Sequence, residues 1–370
     1  MAAVPVSRIQ YLNDEEPNPN GEFVLYWMVA FRRSSWNFSL QRAVELAETH
    51  GKPLLILEAL RCDYQWASDR IHSFVLEGMF DNEASFRKAS VTYYPYLEPE
   101  LGAGRGLLRC LCQQAVAVVT DDFPCFFLPR MLQAVAKRCP VTMEAIDSNG
   151  LYPMRDTDRV FSRAHYFRRH LQKSLLDHLD DAPLEDPLKR VDLPKLSTLP
   201  HDISERWPAT NLDHWKSGKR KLAELPLDHE VVPSEVLTGG SQAAQTRWAT
   251  FLSNKLADYG DRNQPERDVA TGLSPYLHFG HISAHQMFAD LIELEQWSPE
   301  QVAEKPNGSA NGWWNMSEPA EGFLDELITW REVGFNMCCL VDDFDQYESL
   351  PEWAQKTLAE HEADPREYLY

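Results

Sequence analysis

Apolar residues in the first part of the chain fall into short, nearly continuous runs at 23–31, 53–60, 115–120 and 141–146. Unbroken runs of that length suit strands buried on both faces of a parallel sheet, whereas half-exposed strands alternate. Residues 40–50 repeat apolar positions at helical spacing and stop at Gly51, and a second helical pattern covers 128–138. Alternating strands and helices predict a doubly wound parallel sheet, an α/β domain over residues 1–160. From Asp180 to Gly240 periodicity gives way to Pro, Asp, Leu and Lys. Residues 161–240 therefore read as a connector draped over the surface. Helical spacing returns at 242–259, 275–295 and 322–340, which predicts an all-α domain over 241–370. Within it, 305–319 is rich in Gly, Asn and Ser and reads as an exposed loop carrying Trp313 and Trp314.

With 370 residues, 44% of them hydrophobic, the chain has material for two packed cores. Its net charge of −20 argues against a broad basic face for nucleic acid, because such binding draws on Lys and Arg releasing counterions. Net charge leaves a local basic stripe open. The seven Cys residues are odd in number, lack paired CxxC spacing and have mostly apolar neighbours. Buried free thiols and no metal site are expected. Residues 1–14 lack the order of a signal peptide, and no apolar run reaches bilayer length. A soluble, cytoplasmic monomer is expected. Gly102-Ala103-Gly104-Arg105-Gly106 lacks the dinucleotide spacing and follows Glu98-Pro99-Glu100, so it reads as a loop.

Two segments carry candidate chemistry. Thr271-Gly272-Leu273-Ser274-Pro275 supplies hydroxyls, a Gly that lets backbone approach a ligand, and a Pro suited to a first helical turn. Such a helix start favours phosphate, although an ordinary capped helix meets the same pattern. Farther on, Glu326 and Trp330 stand four residues apart, on one helical face. An indole one turn from a carboxylate can stack on a base while the carboxylate bonds the base edge. A core Trp beside a surface ion pair fits the same spacing.

Three blocks occur in order: Tyr259 with Arg262-Asn263-Gln264-Pro265, the stretch Thr271 to Ser283, and Phe323-Leu324-Asp325-Glu326-Leu327-Ile328-Thr329-Trp330-Arg331-Glu332. Together they resemble the flavin-binding half of the DNA photolyase and cryptochrome superfamily. The Glu326–Trp330 spacing with Arg331 beside it looks more like the class II cyclobutane-dimer photolyases than class I. Val118-Val119-Thr120-Asp121-Asp122-Phe123-Pro124 and the run Ala164 to Lys173 also look like that family, so the resemblance covers nearly the whole chain.

The resemblance implies a deoxyribodipyrimidine photo-lyase: light-driven repair of cyclobutane pyrimidine dimers in UV-damaged DNA, with reduced FAD as electron donor. Tyr259, Thr271, Gly272, Leu273, Ser274 and Arg331 would contact FAD, and Glu326 and Trp330 would be the catalytic pair. Arg262, Asn263 and Trp330 would meet DNA, a plain turn before Pro265 being the other reading of the first two. Asn336 would reach the flavin ring or face solvent. The basic cluster Arg163, Arg168, Arg169 and Lys173 suits nucleic acid, a chromophore or solvent equally. The first domain of the family can carry a second, antenna chromophore, here of unknown identity. Family members continue well past Leu350 to Leu358, and that later part completes the flavin pocket. Here the chain stops at Tyr370, so the helical domain is expected to be incomplete. A cryptochrome-like photoreceptor and a non-catalytic relic are the alternatives to repair.

Overall fold

The structure, a computed structural model, describes residues 3–196 and 198–367. Strands β1 (Ile9–Tyr11), β2 (Phe23–Met28), β3 (Leu54–Leu60), β4 (Thr92–Leu97), β5 (Ala115–Asp121) and β6 (Met143–Ile146) form one sheet in the order β1-β6-β5-β2-β3-β4. Every pairing is parallel except that of β1 with β6, at one edge. β2, β3, β5 and β6 coincide with the unbroken apolar runs, and β2 and β5 are buried at every residue. β4 escapes that pattern because it mixes tyrosines with Pro95, which an edge strand tolerates.

Helices α1 (Phe38–His50), α2 (Asp69–Phe86), α3 (Leu107–Gln114) and α4 (Leu128–Ala136) cover the sheet. The side chain of Asn37 accepts the Leu40 N–H to start α1, and Gly51 ends it in left-handed backbone. Central β2 has β3 on one side and β5 on the other. The crevice at the carboxyl ends of β2 and β5 is therefore a topological switch point, where sheets of this kind place ligands.

After α5 (Ala164–Ser174) the chain runs over the α/β core, where the described residues include the short α-helices α6 (His201–Arg206) and α7 (Leu212–Lys216) and 3-10 turns at Leu175–His178 and Leu222–Glu224. Single apolar anchors hold this aperiodic stretch. Leu193 packs with α1, Ile203 and Trp207 with α3 and α4 on the other face, and Leu212 and Leu225 beside α2. The Trp207 indole N–H donates to the Ala103 carbonyl at 2.9 Å, and the Trp207 carbonyl accepts the Tyr94 hydroxyl.

The remaining helices are α8 (Ser241–Asn254), α9 (Ser274–His278), α10 (Ala284–Leu294), α11 (Glu318–Leu324), α12 (Arg331–Leu340) and α13 (Glu352–Glu360). The single helix expected over 275–295 is two. Gly280 turns the chain with a φ of 74°, and a Cβ there would lie 2.0 Å from the Ala30 carbonyl oxygen. Contact with the α/β domain, rather than local propensity, breaks the helix. Ser283 restarts it by accepting the His285 N–H at 3.2 Å. The loop expected at 305–319 is irregular and mostly exposed up to Ser317, but not at its two tryptophans. Trp313 and Trp314 are buried, and Trp297 donates its indole N–H to the Trp314 carbonyl at 2.7 Å. Among the described residues, no helix is long and apolar enough to cross a membrane.

Candidate active site

α11 and α12 run into one another through a π-helical stretch, Asp325–Trp330. Such widened turns are rare and concentrate at functional sites. Here the stretch sends successive side chains to different partners. Asp325 accepts two hydrogen bonds from Arg168 of α5, at 2.6 and 2.8 Å. Glu326 pairs with Arg262 at 3.0 Å. Leu327, Ile328 and Thr329 enter the core, and Trp330 emerges 53% exposed. The spacing of Glu326 and Trp330 left a core tryptophan open; the structure puts the indole in solvent.

Arg262 joins two parts of the site. Besides its bond to Glu326, its guanidinium lies 4.9 Å from the centroid of the Tyr259 ring. Tyr259 is buried, with Phe323 and Phe251 edge-on to it at 5.8 and 5.4 Å. Burial pushes its hydroxyl up to about 12, so it is a neutral phenol at ordinary pH. Tyr259, Arg262 and Glu326 therefore form one contiguous group, and Asn263 beside them is exposed.

The second group surrounds Gly272. The Thr271 hydroxyl accepts the Leu273 N–H at 3.2 Å, Gly272 has a φ of 64°, and Ser274 opens α9 in an exposed position. Arg247 of α8 crosses close by, since a Cβ on Gly272 would meet its guanidinium at 2.7 Å. A guanidinium, an exposed hydroxyl and open backbone form a donor set suited to a diphosphate. α9 has only five residues, so the dipole of a long helix contributes little here. Arg247 was missed from sequence: it belongs to a different helix and meets Gly272 only in space.

Four expectations need correcting. Leu273 is fully buried, so its side chain is core and only its backbone can meet a ligand. Arg331 is not at the Tyr259 group. Its guanidinium donates to the Asn149 carbonyl at 2.7 Å and stacks over Phe335, at the junction with the α/β domain. Asn336 accepts the Phe161 N–H and donates to the Arg159 carbonyl, both at 3.0 Å, so its amide fixes a loop. Arg168 is consumed by Asp325.

Glu332, one residue beyond Arg331, is buried and accepts N–H groups from Leu151 at 2.8 Å and Tyr152 at 3.2 Å. Desolvation lifts its carboxyl to about 7 despite nearby Arg331 and Arg8. Gly150 lets the carboxylate approach the backbone closely, since a Cβ there would lie 2.3 Å from a Glu332 oxygen and push that side chain aside.

A cavity of about 870 Å³ occupies the switch point. Trp27, Tyr64, Phe123 and Phe126 line it from the α/β domain, and His278 and Phe279 close it from the end of α9. Phe126 holds left-handed backbone at φ 60°, uncommon for an aromatic residue, and sits edge-on to Trp66 at 5.8 Å and His278 at 5.4 Å. One short helix thus begins at the Gly272 group and ends at this cavity.

No family model matches the chain. A deoxyribodipyrimidine photo-lyase of Methanothermobacter thermautotrophicus is 29% identical over 99% of this chain and 73% of its own length. One from Arabidopsis thaliana is 26% identical over 94% of this chain and 65% of its own. The chain thus spans between two thirds and three quarters of the first relative and slightly less of the second. A cryptochrome-1 of Erithacus rubecula is 30% identical over 37% of the chain. Among solved structures, a bacterial class III photolyase from Agrobacterium tumefaciens shares the fold, with a TM-score of 0.60 and 18% identity over 92% of this chain and 65% of its own.

Proposed function

The chain belongs to the DNA photolyase and cryptochrome superfamily, and on that premise we propose that it uses light to split cyclobutane pyrimidine dimers in DNA, with FAD as cofactor. The observation that carries this reading is Trp330, a large indole held out of the core one turn from a carboxylate. Enzymes acting on a base take it out of the duplex and hold it by stacking and edge contacts. Trp330 offers the stacking face and Glu326 the edge contact. Arg262, ion-paired with Glu326, and the exposed Asn263 that follows it are the proposed DNA contacts. A DNA phosphate reaching Arg262 competes with Glu326 for the guanidinium, and a half-exposed ion pair of this kind exchanges partners at little cost.

The donors around Gly272 fit the diphosphate of FAD: Arg247, the Ser274 hydroxyl and the backbone of 271–273. When bound, FAD supplies the light-driven electron donor. This chain's residues orient the dimer through Trp330 and place a hydrogen-bonding carboxylate at its edge through Glu326. Tyr259 closes the neighbouring wall as a neutral phenol. The aromatic cavity at the strand ends suits a second, light-harvesting chromophore.

The test is to purify the protein, record its visible spectrum, and illuminate it with dimer-containing DNA. Flavin absorbance with dimer loss in light but not in darkness supports repair. Flavin without dimer loss makes the chain a photoreceptor, and no flavin at all removes the cofactor assignment.

A further inference from the structure

Away from the Tyr259 and Gly272 groups but adjoining the larger cavity, whose lining also includes Arg105 and Arg138, a groove of about 540 Å³ opens between α3, α4 and α6. That volume lies within the range of small-molecule sites, roughly 300–1,000 Å³. Its floor is apolar, from Leu108, Met131 and Val135, which also form the partition from the larger cavity. Its rim is cationic: Arg105, Arg109, Arg138 and Arg206 all line it, and all are exposed. Among the described residues none of these four forms an ion pair or donates a side-chain hydrogen bond. Only Arg206 is engaged, its guanidinium 4.5 Å from the Trp207 ring.

This arrangement runs against the composition. Asp and Glu outnumber Lys and Arg by 56 to 36. Exposed Arg87, Arg130, Arg220 and Arg267 each lie against a carboxylate, whereas Arg163, Arg169 and Arg190, like the four in the groove, form no ion pair among the described residues. What sets the four apart is that they share one hollow. On α6 neither acid, Asp202 or Glu205, forms an ion pair with Arg206 among the described residues, and Glu205 lies 3.5 Å from His201 instead. Four like charges around one hollow repel each other, and a concave wall concentrates their field on whatever enters. All four are Arg, whose planar fork holds phosphate oxygens two at a time.

We propose that this groove binds a small organic polyanion, a phosphate ester of nucleotide size. Its charged end is held by the arginine rim and its apolar body lies on Leu108, Met131 and Val135. The proposal is independent of the flavin and dimer chemistry above. Because α6 belongs to the segment draped over the α/β core, occupancy also ties that segment down.

The experiment uses the full chain with whatever flavin it carries, and pyranine, a fluorescent aromatic trisulfonate, as probe. At low ionic strength its anisotropy should rise saturably, and ADP and inorganic tripolyphosphate should displace it while adenosine does not. Arg109→Gln and Arg206→Gln, which line the groove but not the larger cavity, should each weaken binding about tenfold, the loss of one charge-assisted contact. Arg109 is exposed and, among the described residues, unpartnered, so Arg109→Gln should leave thermal unfolding unchanged. Arg206→Gln should lower stability by no more than the loss of its contact with Trp207, and flavin content should equal the parent's in both. No saturable binding, binding indifferent to both substitutions, or binding that neither phosphate displaces would each overturn the proposal. Since the flavin site and the larger cavity could also take an anion, indifference to the two arginines places the binding outside the groove.

Discussion

Trp330 and Arg262 can be probed separately because their contacts differ. The indole is more than half exposed, so Trp330→Ala should change fold stability by less than about 0.5 kcal/mol, as surface substitutions do. If the residue stacks on a base, affinity for dimer-containing DNA should fall by roughly 5- to 150-fold, equivalent to about 1–3 kcal/mol, with flavin content unchanged. Loss of flavin, read from the visible spectrum, would instead make Trp330 part of the cofactor pocket. Arg262→Ala removes both the partner of Glu326 and the cation over Tyr259. It should weaken DNA binding and flatten its salt dependence by about one phosphate contact. An unchanged salt slope would show that Arg262 serves the fold alone. Local spacing marked Glu326 and Trp330, while Tyr259 and Arg262 entered only through the family resemblance of their block. The resemblance misdirected Arg331 and Asn336, whose partners Asn149 and Phe161 lie far away in the chain.

Among the elements, the break between α9 and α10 is the clearest case of packing overriding local pattern. Gly280→Ala would place a Cβ against the Ala30 carbonyl in left-handed backbone, and should destabilise by about 3 kcal/mol or more. Gly51, at φ 61° with open space around it, is the control: Gly51→Ala should cost only about 1–2 kcal/mol. Urea unfolding of both variants measures the difference, and equal losses would mean that backbone conformation alone sets the cost at Gly280. The π-helical stretch has the same origin. Its side chains must reach Arg168, Arg262 and the core at once, and a regular helix would not aim them all. Strands β2, β3, β5 and β6 were plain in the sequence because burial on both faces makes them uniformly apolar. α2 and β4 were not, since polar positions and Pro95 interrupt their patterns.

At the scale of the molecule, the α/β and helical parts are joined by buried charge, and pH should act there. The Glu332 carboxyl titrates near 4.5 when unfolded and at about 7 when folded. The folded chain thus keeps a proton that the unfolded chain loses across that window. Its contribution, at most about 3 kcal/mol, is full below pH 4.5 and fades as pH rises to about 7. His72, lowered to about 4, and His281, lowered to about 3, act oppositely: their contribution is present above pH 6.5 and fades as pH falls. Glu332→Gln should therefore remove the decline between pH 4.5 and 7 in urea midpoints while leaving the acid-side loss. An unaltered profile would place that titration elsewhere. Periodicity alone was enough for the α/β class, the helical second half and the aperiodic stretch between them, because burial of strands and helix faces writes itself into neighbouring residues. The meeting of Arg247 with Gly272, the junction at Glu332 and the ring of four arginines join residues from separate elements. Only the packing of sheet, helices and draped segment brings them together, since contacts between distant positions leave no local period to read.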